Sequence, residues 1–255
     1  MKEREFDDAL HQMVKSEDGS YTAYSKEYDE HYHATKDGAL RESLNKHVIP
    51  CFSQFNNPTH LNILDICFGL GFNTLATLYY LKENRLNTTL SIYSPELDAD
   101  LVSSLEYFIY PKAFAPFQEI ITALARTHRY EDAHVSIELF VGDAREYLRH
   151  NKHQFDIIYQ DAFSPKVNPI LWTKEYFEEI AQCIKKDGVM SSYSTALAVR
   201  LGMFENGFKL YLHEAYGCRP STMASLSELE SLKKVDMAHK IACNPDKSAL
   251  RDSEI

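Results

Sequence analysis

Six short apolar runs, separated by stretches with helical periodicity, restrict this chain more than any other feature of its 255 residues. Leu61–Cys67 (LNILDIC) is almost continuously apolar, as a strand buried on both faces must be. Thr89–Tyr93, His134–Val141, Phe155–Gln160, Val189–Ser194 and Phe208–Tyr216 follow, each leaving room for a helix before the next. The helical stretches are Asn73–Glu83, Leu97–Tyr107, Phe117–Thr127, Ala144–His150, Thr173–Lys186 and Thr195–Glu205. Asp187-Gly188 and Asn206-Gly207 stand where the last two would stop. Strands alternating with helices predict an α/β fold: a Rossmann-like, mostly parallel sheet with helices on both faces.

Residues 56–225 carry this pattern and predict one main domain. Residues 1–55 read as an extension packed on it. Tyr21–Glu42 is polar and tyrosine-rich, with turn signals at Asp18-Gly19 and Asp37-Gly38, and predicts a hairpin or lid. Leu44–Phe52 reads as a short amphipathic helix. Residues 226–255 are polar with a weak helical pattern over Leu226–Lys240, so a helix with a disordered tail is expected. No apolar run approaches the ~20 residues that span a bilayer, and Met1–Glu5 is too polar for a secretory signal. A cytoplasmic address follows. The five cysteines are scattered without a C-x-x-C pair, which argues against a disulfide framework or a zinc cluster. His31 and His33 lack a third ligand at suitable spacing, so no metal is expected. A net charge of −10 disfavours a protein that coats itself with nucleic acid, and leaves room only for a local basic patch.

Doubly wound sheets bind ligands beyond the carboxyl ends of their strands, where strand order reverses. The first strand carries Asp65 and runs into Phe68-Gly69-Leu70-Gly71, with Asn73 opening the next helix. Glycine at 69 and 71 permits a sharp turn and a close backbone approach to a ligand. Thr74 stands where a dinucleotide fingerprint needs its third glycine, which disfavours a nicotinamide enzyme. A plain tight turn explains a lone G-x-G equally well. Glu96 follows the second strand, where a carboxylate accepts from ribose hydroxyls, with Asp98 as the near alternative. Asp143, with Ala144 beside it, ends the third strand, where a carboxylate can meet an adenine amino group or simply cap a helix.

The fourth strand enters Asp161-Ala162-Phe163-Ser164-Pro165-Lys166-Val167-Asn168-Pro169-Ile170-Leu171-Trp172, a loop stiffened by two prolines and holding the only tryptophan. This D-x-F-x-P-x-x-N-P-x-x-W segment resembles the methyltransferase half of the MnmC family, which modifies the tRNA wobble uridine. F-G-x-G-x-N at Phe68–Asn73, V-G-D-A at Val141–Ala144 and the Tyr24–Glu42 segment share the likeness, which spans roughly residues 20 to 225. The resemblance implies S-adenosylmethionine as cofactor, held by Asp65, Phe68, Gly69, Gly71, Asn73, Glu96, Asp143, Ala144 and Asp161. It implies methylation of the amine of 5-aminomethyl-2-thiouridine in tRNA. Asp161 would stabilise the charge that grows on nitrogen and take the leftover proton.

Tyr24, Tyr28, Phe163 and Trp172 are candidates to stack on the uracil or cofactor. Lys166 and Arg219, with Arg41 and Arg200, are candidates for phosphate contacts. The segment Gly217–Ser221 is poorer in Lys and Arg than its counterpart in the family. In two-part members a flavin oxidase exposes the amine; here a stand-alone form is expected, with separate modification enzymes as partners. Two other readings share the fold: an aminopropyl transferase of the spermidine-synthase type, and a tRNA- or partner-binding protein without turnover. Phe68-Gly69-Leu70-Gly71 lacks the internal acid expected of the first.

Overall fold

The computed structural model describes residues 6, 9–151, 154–215 and 217–255. It opens with strands β1 (His11–Lys15), β2 (Tyr21–Ser25) and β3 (Glu30–His31). Helix α1 (Ala39–Ser43), a single π-helical turn (Leu44–Val48) and α2 (Ile49–Phe52) follow without a break. Next come β4 (His60–Ile66), α3 (Phe72–Glu83), β5 (Thr89–Glu96), α4 (Ala99–Ser104), α5 (Gln118–Thr127), β6 (Arg129–Glu131), β7 (Val135–Val141) and α6 (Ala144–His150). The chain closes with β8 (Phe155–Gln160), α7 (Lys174–Cys183), β9 (Ile184–Ser192), α8 (Leu197–Glu205), β10 (Lys209–His213), β11 (Ser221–Ser225), β12 (Lys233–Lys234) and α9 (Met237–Ala242).

The large sheet runs β12-β10-β11-β9-β8-β4-β5-β7-β6. Its five central strands, β9 to β7, are parallel, whereas β11, β12 and β6 pair antiparallel with their neighbours. The Rossmann-like α/β architecture is therefore as the strand–helix alternation predicts. Alternate residues of each strand enter opposite cores. Leu61 and Ile63 pack with α2, α3 and α5, while Leu64 and Ile66 pack with α6, α7 and α8. Burial on both faces is why β4 reads as a continuous apolar run.

Three local expectations are corrected. The helix expected to reach Lys186 ends at Cys183, and Asp187-Gly188 lies inside β9. Phe155 pairs with Ile184 but Ile157 with Val189, so the intervening residues bulge out of the ladder. The expected sixth strand ends at His213, and Tyr216 lies outside the described residues. β11 (STMAS) is buried at every position between β9 and β10 and was not foreseen. Its small hydroxyl side chains carry no apolar signal, and two of them bond to main-chain groups: Thr222 Oγ1 donates to Ser194 O and Ser225 Oγ to Gly188 O.

β1, β2 and β3 form a separate antiparallel sheet, which crosses the carboxyl ends of the parallel strands through contacts described below. After α9 the chain folds back along α6 and α7. Lys174 N donates to Leu250 O, and Asp252 accepts from both Arg145 and Thr173 Oγ1. Among the described residues no helix is long and apolar enough to cross a membrane.

Candidate active site

β4 and β8 are sheet neighbours, but the chain leaves them in opposite directions: β4 toward β5 and β7, β8 toward β9. Their carboxyl ends therefore diverge and open a crevice. The turn after β4 is unusually contorted: Cys67, Gly69 and Gly71 have φ of 62°, 54° and 74°. Gly71 starts α3 in the left-handed region, and a Cβ there would lie 2.7 Å from the Phe68 ring. A Cβ on Gly69 would press the Tyr32 ring at 3.1 Å. The left-handed backbone favours glycine at both positions, and at 71 the Phe68 ring also leaves too little space for a Cβ.

Glu96, at the end of β5, ties the neighbouring turns together. Gly69 N–H donates to one carboxylate oxygen at 2.7 Å and Asp98 N–H to the other at 3.0 Å. Burial holds its carboxyl above the usual carboxylate range, opposed by those N–H donors. Asp98 caps α4 through Leu101 N–H and accepts from His11 of β1 at 2.8 Å. Asp143 caps α6 by accepting from Glu146 N–H at 2.8 Å while still facing the crevice.

Asp161 begins the loop after β8. Asn73 Nδ2 donates to its Oδ2 at 2.9 Å, and His47 Nε2 stands 3.4 Å from Oδ1. Burial pushes this carboxyl up, but the nearby His47 ring, the charge of His33 and the bond from Asn73 outweigh it. The balance leaves Asp161 below the usual carboxylate range, hence ionised at neutral pH. Asp65 behaves oppositely. It is 1% exposed, accepts from Thr74 Oγ1 at 2.8 Å, and burial pushes it up to about 7.

The crevice encloses about 510 Å³, within the ~300–1,000 Å³ span of small-molecule sites. The N-terminal sheet roofs it. Tyr28 stacks on Phe163 with ring centres 4.5 Å apart, Tyr32 meets the same ring edge-on, and Glu30 accepts from Ser164 N–H at 3.0 Å. Gly69, Glu96, Asp98, Asp143, Ala144, Asp161, Tyr28 and Phe163 all line the cavity. Eight carboxylates do so (Glu27, Glu30, Glu42, Glu96, Asp98, Asp100, Asp143, Asp161), and no lysine or arginine joins them among the described residues.

Several sequence candidates sit elsewhere. Trp172 is fully buried, its Nε1–H donating to Phe163 O at 2.7 Å and its ring against Tyr193. It braces the loop and has no face left for a ligand. Asp65, Phe68, Gly71 and Asn73 lie behind the cavity wall, shaping the turn and holding Asp161. Tyr24 bonds Asp29 on the outer side of the roof. Lys166 and Arg219 are exposed beyond the cavity, whereas Arg200 is buried on α8 with its Nε donating to Thr222 Oγ1. His47 and Glu30 escaped notice, because nothing in their local sequence separates them from ordinary helix or strand residues, and His33, weighed only as a metal ligand, lines the cavity instead.

A family model described as S-adenosyl-L-methionine-dependent methyltransferase matches residues 111–227. The crystal structure of MnmC2 from Aquifex aeolicus has a TM-score of 0.82 and 30% identity to this chain, covering 98% of it and 82% of that structure's chain. The chain belongs to the MnmC-type methyltransferase family. An uncharacterised protein from Methanocaldococcus jannaschii is 30% identical over 218 residues, 81% of this chain and 57% of that protein. The tRNA 5-methylaminomethyl-2-thiouridine biosynthesis bifunctional protein MnmC of Paracidovorax citrulli is 32% identical over 157 residues, 58% of this chain and 25% of that protein. The chain thus covers just over half of one curated relative and a quarter of the other. As a member of that family it is an S-adenosylmethionine-dependent methyltransferase.

Proposed function

We propose that this enzyme methylates the amine of 5-aminomethyl-2-thiouridine at the tRNA wobble position, with Asp161 as the residue that meets the amine. The observation carrying this reading is an ionised Asp161 in a cavity lined by eight carboxylates, itself among them, and by no lysine or arginine among the described residues. Such a wall suits cationic ligands: a sulfonium cofactor and an acceptor that arrives as an ammonium ion. It does not suit a bound phosphate, so the tRNA backbone belongs outside, where Lys166 and Arg219 are exposed.

The crevice fits the cofactor on its own features. The glycine turn leaves backbone where side chains would intrude, and Glu96 and Asp143 offer acceptors at successive strand ends. Leu97, 64% exposed, gives an apolar surface beside them. Gly69, Glu96, Asp143 and Ala144 would hold S-adenosylmethionine, with Asp65, Phe68, Gly71 and Asn73 shaping the turn behind them. When bound, it supplies a methyl group on a good leaving group. The protein then has to position the amine, strip its water and leave its lone pair free. Asp161, held by Asn73, orients the amine and offsets the positive charge that nitrogen gains. Tyr28 and Phe163 provide an aromatic wall for a base. Separate modification enzymes would supply the aminomethyl group.

The test is incubation of the enzyme and S-adenosylmethionine with tRNA carrying 5-aminomethyl-2-thiouridine, followed by nucleoside mass spectrometry. Conversion to the 5-methylaminomethyl nucleoside supports the assignment. An unmodified nucleoside, with calorimetry showing that the cofactor binds, removes it. The carboxylate wall would also admit a free cationic amine, so the isolated aminomethyl nucleoside is assayed in parallel.

A further inference from the structure

His47 is 1% exposed and lies on the single π-helical turn between α1 and α2. One-turn π segments inside helices are frequent at functional sites because they rotate one side chain out of register. Nδ1 of His47 lies 2.9 Å from Ser191 Oγ on β9, and Nε2 faces Asp161 Oδ1 at 3.4 Å without forming an aligned hydrogen bond. A serine hydroxyl can donate or accept. Ser191 can therefore serve the neutral ring and the imidazolium alike, with no heavy atom moving. The opposite edge of the ring meets a carboxylate that is itself open to the cavity, its side chain 19% exposed.

We propose that His47 is a positioning residue for Asp161 and the inner half of a shared proton site, receiving through Asp161 the proton that the acceptor's ammonium group must lose. This rests on Asp161 facing the amine, as proposed above. An N–H bond of the ammonium ion breaks and its electron pair stays on nitrogen. An O–H bond forms on Asp161, and the proton passes to His47 Nε2, leaving an imidazolium beside a restored carboxylate. The neutral amine can then attack, and its product leaves as a secondary ammonium ion. The stored proton returns to solvent through Asp161.

The surroundings allow this. Tyr159 of β8 meets the ring edge-on, and its hydroxyl is paired with Thr77 of α3. Asp65 of β4, His33 beyond β3 and Lys46 beside His47 are the other titratable neighbours. Glu42 of α1 is held by Lys46 and Ala34 N–H, while Cys51 of α2 is a buried thiol pushed up to about 12. Asp161 is the carboxylate within ion-pair distance of the ring.

The full-length protein, labelled with ¹⁵N, is titrated with its histidine ring nitrogens observed; His47→Gln identifies the resonance. Replacing Asp161 by Asn should lower the His47 midpoint by about one pH unit or more. Equal midpoints in the two proteins, or a ring that stays neutral throughout in the wild type, overturn the pair. In turnover, H47Q should lose roughly 10²-fold in kcat, shift the acid limb of the kcat–pH profile and keep cofactor affinity within about threefold. Weakened cofactor binding with an unmoved pH profile means a merely structural histidine. Wild-type protein inactive on aminomethyl-tRNA sinks the proposed function, and the nitrogen titration then decides the His47–Asp161 pair by itself. Should H47Q fail to fold, His47→Asn or through-bond assignment of the ring nitrogens identifies the resonance, and the Asp161→Asn comparison decides it.

Discussion

Asp161 and Asp65 show how surroundings assign different tasks to identical side chains. Asp161 is kept ionised by His47, His33 and Asn73 in spite of burial, whereas Asp65 is pushed up to about 7 by burial, only partly offset by Thr74 and Asn73. Asp161→Asn should therefore bind S-adenosylmethionine about as tightly as the wild type by calorimetry and lose at least ~10²-fold in turnover. Asp65 leads to a stability prediction. Its folded pKa lies above the ordinary value of roughly 4, so between about pH 4 and pH 7 the folded state keeps a proton that the unfolded chain has released. Its effect on stability thus worsens as pH rises through that window. Asp65→Asn should be the more stable protein at pH 8, by an amount on the order of a few kcal/mol, and the advantage should vanish near pH 4. Urea melts at the two pH values measure it. Neither contrast is visible in sequence, where both aspartates simply end apolar strands. What decides them is the company each keeps from distant segments: Asn73 is 88 residues from Asp161, and His47 is further still.

The elements that sequence displayed best are those buried on two faces or capped by a recognisable residue. β4 and β8 are buried at most positions and largely apolar, and Asp98, Asp143 and Thr173 each begin a helix by accepting from a first-turn N–H. Those it displayed worst pack by hydroxyls or by exception. β11 is one, and the π-helical turn carrying His47 is another, since its residues suit an ordinary α-helix equally well. The glycine turn was legible as G-x-G, but its reach was not: Gly71 exists as much for the Phe68 ring as for any ligand. Gly71→Ala places a β-carbon 2.7 Å from that ring at a φ of 74°. The cost should be about 1–3 kcal/mol. It should appear as a lowered unfolding midpoint, together with weaker cofactor binding, since the turn orients Gly69 toward the cavity.

Across the whole molecule, long-range contacts bind the peripheral segments to the central sheet. The segment after α9 is clasped to α6 and α7: Arg145, only 7% exposed, makes two 2.8 Å contacts with Asp252 and pairs with Glu179. Asp252→Ala should lower the denaturation midpoint by the equivalent of about 1–3 kcal/mol, because a buried guanidinium loses a partner. A midpoint unchanged from wild type would show that Glu179 alone suffices. At the other end, the roof over the crevice is latched by Glu30 to Ser164, residues 134 positions apart. That separation orders events during synthesis. The ribosome makes the three-stranded cover long before the loop that Glu30 grips, so that latch has nothing to close on until the chain beyond β8 has emerged. A nascent chain halted before that loop has a roof without its far latch, and only translation past Ser164 turns that earlier-made sheet into the last wall of the chamber.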